Sequence, residues 1–341
     1  MHLRDYRFII TAVFLFLGCA STGPSIDNQE LKRLNEDLKT RAVELKIERS
    51  IYVNDIGFKL FKDLPFQEKK SYAYLGILAA PLDNYLASIF DKEADEDRVI
   101  IYGLVKDSAA EDAGLKAADI IFTIDGRKAT VYNYDSLLKS LKPEQLCRIE
   151  VEREAGTKDF YIYPQRVPYY INFLVVESAD VNAAAFSGGV AVTYGLLNFI
   201  DNDDELGIAL GHELAHLIRG HILKSQGIDL VFSALVFALG KNVDIPQSGD
   251  MGQVLGSAFS ASFSRDFERE ADFLGTLLAY KSGFDIRKGT YIWERFAVEL
   301  PKSLDTNFLS THPTSSERLL RIRTIVDQIE SGEIKIEDYL Y

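Results

Sequence analysis

The sequence predicts an α+β chain: a mainly helical domain with a small edge sheet, interrupted by a β-rich block. Three observations carry this expectation. Segments 49–64, 201–224 and 262–280 repeat apolar residues at helical spacing. Residues 71–166 instead break into short alternating or β-branched runs bounded by Gly and Asp, which is strand and hairpin patterning. Helical segments flank that block on both sides, so the helical domain is assigned to 45–70 and 167–341, with 71–166 inserted into it. At 341 residues, 47% hydrophobic and 26% charged, the chain is long enough for two domains. A formal charge of −13 comes without the basic faces that nucleic acid requires, so no nucleic-acid partner is expected.

The elements follow in chain order. "MHLRDYRFIITAVFLFLGC" has a basic start and an apolar run from Phe8 to Leu17. That run is too short for an ordinary membrane span and suits a signal peptide over 1–18. "LFLGC" resembles a bacterial lipobox, with Phe16 a departure at the third position before the cysteine. The resemblance implies lipidation at Cys19. With Ala20 following, it also implies a periplasm-facing lipoprotein of the bacterial envelope at the outer membrane, held to the membrane by its lipid anchor only. Residues 19–44 are polar and charge-rich and read as a tether leading into a solvated helix. Cys147 is the one cysteine left after Cys19, so no disulfide framework is expected, and its alternation with apolar neighbours reads as core. "IDLVFSALVFALG" (228–240) is too short to span a membrane and reads as a buried or lid-like helix. The Gly/Ser-rich run 241–262 reads as a mobile segment able to cover a cleft.

"LGHELAHLIRGH" (210–221) holds three of the five histidines. His212 and His216, four residues apart, share one face of a helix. The stretch opens with Asp201, Asn202, Asp203 and Asp204, which are cap and first-turn residues. Two neutral imidazoles at this spacing suit a zinc ion, and Glu213 suits the general base acting on water held there. His221 lies five residues past His216; on a continuous helix it rotates off the metal face, so it reads as structural. A third ligand must come from elsewhere. In 262–280, Glu268 and Asp272 share a face and Glu270 points away. A helix crossing 203–224 could present Glu268 to the zinc, with Asp272 one turn on accepting the spare ring N–H of His212.

"GHELAHLIRGH" followed by "SRDFEREADFLG" resembles the HtpX-like and CAAX-prenyl-protease-type zinc metallopeptidases of metallopeptidase family 48, and within it the soluble envelope members of the BepA kind. The likeness extends to "VNAAAFSGGVAVTYGLLNFI" (181–200), to "STHPTSSERLLRI" (310–322) and to the helix 49–64. It implies a helical gluzincin domain, one Zn²⁺ on His212, His216 and Glu268, and proteolysis of polypeptides, with misfolded or misassembled envelope proteins as substrates. It also gives His312 a role, either stabilising an oxyanion or coordinating the zinc and holding the enzyme shut, and it makes Arg318 an anchor of the same segment. "GGVAVTY" (188–194) reads as an edge strand that an extended substrate would join at Gly188, Gly189 and Val190.

"VKDSAAEDAGLKAADIIFTIDGRKA" (105–129) resembles a bacterial, HtrA-like PDZ domain, with Ala118 where a Gly is usual. The resemblance implies that Leu75, Gly76 and Ile77 form the loop that takes a peptide C-terminus, and that the groove binds peptide as an added strand. The competing reading is a proteolytically latched or inactive PDZ-containing chaperone or adaptor lipoprotein.

Overall fold

The computed structural model describes residues 26–62, 64, 71–186, 188–222, 258–259, 263–300, 312 and 315–340. Residues 40–341 form one compact unit and residues 1–39 another. Cys19, the 228–240 segment and nearly all of 241–262 lie outside the described residues.

Helix α1 (Asn28–Phe61) runs for 34 residues. It is the solvated helix into which the polar stretch leads, and it begins at Asn28. The reason is local. Residues 28–56 contain neither Gly nor Pro and are rich in Glu, Lys and Leu, good helix formers that need no packing on an exposed face. Its last turns bury Val53, Ile56, Phe58, Leu60 and Phe61 in the helical core.

Strands β1 (Tyr72–Tyr74) and β8 (Gln165–Val167) pair with each other at the two ends of the β-rich block. Between them lie β2 (Ile77–Leu82), α2 (Asn84–Ile89), β3 (Asp95–Leu104), α3 (Ala109–Asp112), β4 (Ile120–Ile124), β5 (Arg127–Lys128), α4 (Tyr134–Ser140), β6 (Cys147–Arg153) and β7 (Gly156–Ile162). They form an antiparallel sheet in the order β2-β3-β4-β6-β7, with β5 on β4. One face covers a core of its own around Val99, Ile101, Ile121, Ile149 and Val151, as strict alternation requires. The other face is met by α1, where Val43 and Ile47 pack on Leu82 and Ile100. Cys147 is buried in this block, and burial raises its thiol to about 11.

The chain then forms β9 (Asn172–Val176), β10 (Ala183–Phe186), β11 (Gly189–Thr193) and α5 (Tyr194–Phe199). This small sheet has the order β10-β11-β9, with β11 antiparallel to β10 and parallel to β9. The "GGVAVT" strand is therefore central and buried along its length, not the edge expected from the sequence. The alternating apolar pattern marks a strand, but two-sided pairing is a tertiary property that no local pattern reports. Gly188 makes the turn (φ 101°), and at Gly189 a Cβ would meet the Asn172 carbonyl oxygen of the neighbouring strand.

Helix α6 (Asp203–Ile218) is capped by Asn202, whose Oδ1 accepts from the Asp204 and Glu205 amides. It is buried from Glu205 to His216. The charge of buried Glu205 is met by Arg295 at 2.8 Å. Gly220 (φ 65°) ends the helix in the left-handed region. Helices α7 (Arg265–Lys281), α8 (Ile286–Gly289), α9 (Tyr291–Glu299), α10 (Ser316–Glu330) and α11 (Glu337–Leu340) complete the described fold. Helices α6 and α7 cross at Gly211 and Gly275, where a Cβ on Gly275 would lie 2.7 Å from the His212 amide nitrogen. Two glycines at one crossing bring the backbones into contact and place the first turns of α7 beside the last turns of α6.

Candidate metal centre

That crossing assembles the site. Donor atoms of His212, His216, Glu268 and His312 all lie within 4.8 Å of one another, and all four residues are buried. The two α6 histidines face each other, Nε2 to Nε2, at 3.1 Å. His312 Nδ1 is 2.9 Å from Glu268 Oε1 and 3.2 Å from His212 Nε2. Glu268 Oε1 is 3.3 Å from His216 Nε2.

Hydrogen-bond bookkeeping on the far sides of the rings decides what these atoms present. His212 Nδ1 is 3.1 Å from Asp272 Oδ1. A carboxylate only accepts, so the proton sits on Nδ1 and Nε2 carries a lone pair. The inner Nε2 of His212 thus points a lone pair at a second imidazole nitrogen and at the Glu268 carboxylate. Among the described residues no hydrogen bond reaches the buried Glu268 Oε2, which lies 3.2 Å from Arg318 Nη1. Lone pairs of two buried imidazoles converging with a buried carboxylate are a donor set that a divalent cation stabilises, and Arg318 meets only the outer oxygen of that carboxylate. The residues fit a metal ion.

Arg318, 4% exposed, holds the outer side. It donates to both Asp272 oxygens, from Nε at 2.9 Å and from Nη2 at 2.7 Å, and from Nη1 to the His312 carbonyl at 3.0 Å. Its guanidinium stacks 4.3 Å over Trp293, whose ring in turn meets His212 edge-on. Burial pushes the Asp272 carboxyl up, but the Arg318 charge and the His212 ring outweigh it and leave the pKa lowered.

Glu213 is fully buried, and Oε2 accepts from the Ala185 amide of β10 at 2.8 Å. Oε1 is 3.2 Å from His312 Nε2. Burial raises the Glu213 carboxyl above its ordinary value, against the lowering pull of His312 and His212. His312 bridges Glu213 and Glu268. Burial lowers it, but the two carboxylates outweigh burial and its pKa is raised.

The structure thus brings Glu213, His312, His212, His216, Glu268, Asp272 and Arg318 together. Gly188, Gly189 and Val190 stand one strand away, behind β10. Leu75 and Gly76 form the turn between β1 and β2, where their carbonyls accept from Ala110 and Val105, and Ile77 opens β2. Sequence reasoning missed two participants. Ala185 anchors the Glu213 carboxylate, and Phe263 stacks on His216 at 3.9 Å. His221 stays outside the donor set, yet it touches His216, because α6 ends at Ile218 and the left-handed Gly220 follows.

Comparison with known proteins places this arrangement. Over 166 residues the chain is 31% identical to the mitochondrial metalloendopeptidase OMA1 of Schizosaccharomyces pombe, covering 48% of each chain. It is 31% identical over 166 residues to the metalloprotease YcaL of Escherichia coli, covering 48% of this chain and 64% of that one. Against the beta-barrel assembly-enhancing protease of Yersinia pestis it is 28% identical over 189 residues, covering 52% of this chain and 38% of that one. The chain spans less than two thirds of the length of each of these relatives. The model of peptidase family M48 matches residues 152–326, just over half of the chain and the whole of this centre, and the chain belongs to that family.

Proposed function

We propose that the chain is a zinc-dependent endopeptidase acting on polypeptides. The observation that carries this reading is the convergence of His212, His216 and Glu268 around one point with the buried carboxylate of Glu213 beside it. His212, His216 and Glu268 would hold the zinc, which would supply Lewis acidity toward the scissile carbonyl and toward water. Glu213 takes the proton of the attacking water and returns it to the leaving amine. Its raised pKa suits both transfers, and the Ala185 amide aims its carboxylate. Asp272 and Arg318 hold His212 in its metal-binding tautomer. An extended substrate pairs with β10, whose outer side faces α6, rather than with the central β11.

A latched form is favoured by one observation: His312 Nδ1 lies inside the donor set and its Nε2 lies against Glu213. With His312 there, four protein groups surround the metal position and the base is covered. Displacement of His312 then opens the site, and the same ring can serve an oxyanion. A chain that never opens acts as a binding protein or chaperone.

The 71–166 block acts as a PDZ domain. Its support is the edge position of β2 and the left-handed Gly76 (φ 75°) beside Leu75 and Ile77. Peptide C-termini are its ligands. Lipidation at Cys19 tethers the protein to the outer membrane facing the periplasm, with misfolded or misassembled envelope proteins as substrates.

The test is bound metal and casein-type proteolysis on the full chain beside Glu213→Gln. One zinc per chain with activity lost in the variant is the expected result. Zinc without activity in either protein turns the question to His312→Ala, where a gain of proteolysis identifies the latch. Absence of zinc overturns the peptidase reading.

A further inference from the structure

His221 lies outside the donor set yet is fully buried, its ring stacked on Phe267 at 4.2 Å. Its Nδ1 is 3.0 Å from His216 Nδ1, and its Nε2 is 3.1 Å from Glu270 Oε2. Arg219 holds the second Glu270 oxygen at 3.0 Å. Chemistry sets the direction of these hydrogen bonds. Because a carboxylate only accepts, neutral His221 carries its proton on Nε2. Its Nδ1 is then bare and accepts from the Nδ1–H of His216. That leaves a lone pair on His216 Nε2, the atom that faces His212 and Glu268.

We propose that His221 is a positioning residue which, with Glu270, sets His216 in the tautomer that a metal requires; the inference rests on the zinc reading above. The two histidine ligands are then oriented by separate carboxylates. Asp272 acts on His212 directly, from a buried position. Glu270 acts on His216 through one intervening imidazole, from a side chain that is 40% exposed. The intervening ring lets a solvated carboxylate at the rim set the proton on a buried ligand without itself being buried, which would be costly. Gly220 is part of the device, since its left-handed turn is what brings His221 under His216.

The test uses the full chain, stripped of metal and titrated with zinc against a competing chelator. His221→Phe keeps the ring stacked on Phe267 but offers no acceptor. Zinc affinity should fall about 10–100-fold, with the melting temperature of the metal-free chain close to wild type. His221→Asn, which restores an acceptor near the same point, should recover most of the loss. Long-range proton–nitrogen spectra of the imidazoles read the tautomer directly and need no variant: His216 in the metal-free wild type should carry its proton on Nδ1. A proton on Nε2 overturns the proposal, as does equal zinc affinity in wild type and His221→Phe. If the wild type binds no stoichiometric zinc, the metal reading fails, and the tautomer spectrum still decides the His221 assignment.

Discussion

Arg318 donates to Asp272 and to the His312 carbonyl, and so links helix α7 to the segment that delivers His312. A buried pair of this kind gives modest net stability, but removing one partner leaves an uncompensated charge. Arg318→Leu should therefore cost about 3–5 kcal/mol, read from urea unfolding of the metal-free chain. The same pair predicts a pH dependence. The folded-state pKa of Asp272 is lowered relative to the unfolded chain. A lowered carboxylate contributes stability that is fully present above its unfolded pKa, about 3.9, and is lost as pH falls through the folded value. The melting temperature of the metal-free protein should drop with acid below about pH 4–5, and the drop should be shallower in Asp272→Asn. Equal slopes would show that this carboxylate does not govern the acid limb.

Two element-scale features can be tested by single methyl groups. At the crossing of α6 and α7, a Cβ on Gly275 would sit 2.7 Å from the His212 amide nitrogen. Backbone cannot yield as a side chain does, so Gly275→Ala should cost about 1–3 kcal/mol. It should also weaken zinc binding, because it separates the helix bearing the histidines from the helix bearing Glu268. An unchanged zinc affinity would mean that the helices slide rather than part. The opposite sign is expected at Ala118, which adopts φ 72° where the PDZ-like pattern has Gly. A left-handed alanine costs about 1–2 kcal/mol, so Ala118→Gly should stabilise the chain by about 1 kcal/mol once the extra freedom of glycine in the unfolded state is offset. A thermal melt at neutral pH reads the result.

For the whole molecule, the centre joins three distant stretches of chain: 212–216 on α6, 268–272 on α7, and 312–318 leading into α10. A ligand that binds only the folded form stabilises it by mass action. Zinc at a thousand times its dissociation constant should add about 4 kcal/mol, and a chelator should reverse the rise in melting temperature. Calcium at the same concentration should have little effect, since two imidazoles and one carboxylate suit zinc better than a hard cation. Among the described residues no helix is long and apolar enough to cross a membrane.

The candidate donor residues could be picked out from local spacing alone. His212, Glu213, His216, Glu268 and Asp272 were legible because helical periodicity turns spacing into a shared face, and that rule is local. The strands of the 71–166 block were legible for the same reason, through their period of two. What the spacing could not carry was anything that depends on where a helix stops or what lies across a gap. Where the polar tether gives way to solvated helix, at Asn28, leaves no mark in composition, since both are polar and charge-rich. The GGVAVT strand was placed at an edge because pairing on both sides leaves no mark on a single strand. His221 stays outside the donor set, but its contact with His216 depends on where α6 ends, at Ile218, and on the left-handed Gly220 just before it. Only the tertiary structure decided these, since each is set by contacts between segments far apart in sequence, and those contacts also make the donor atoms converge.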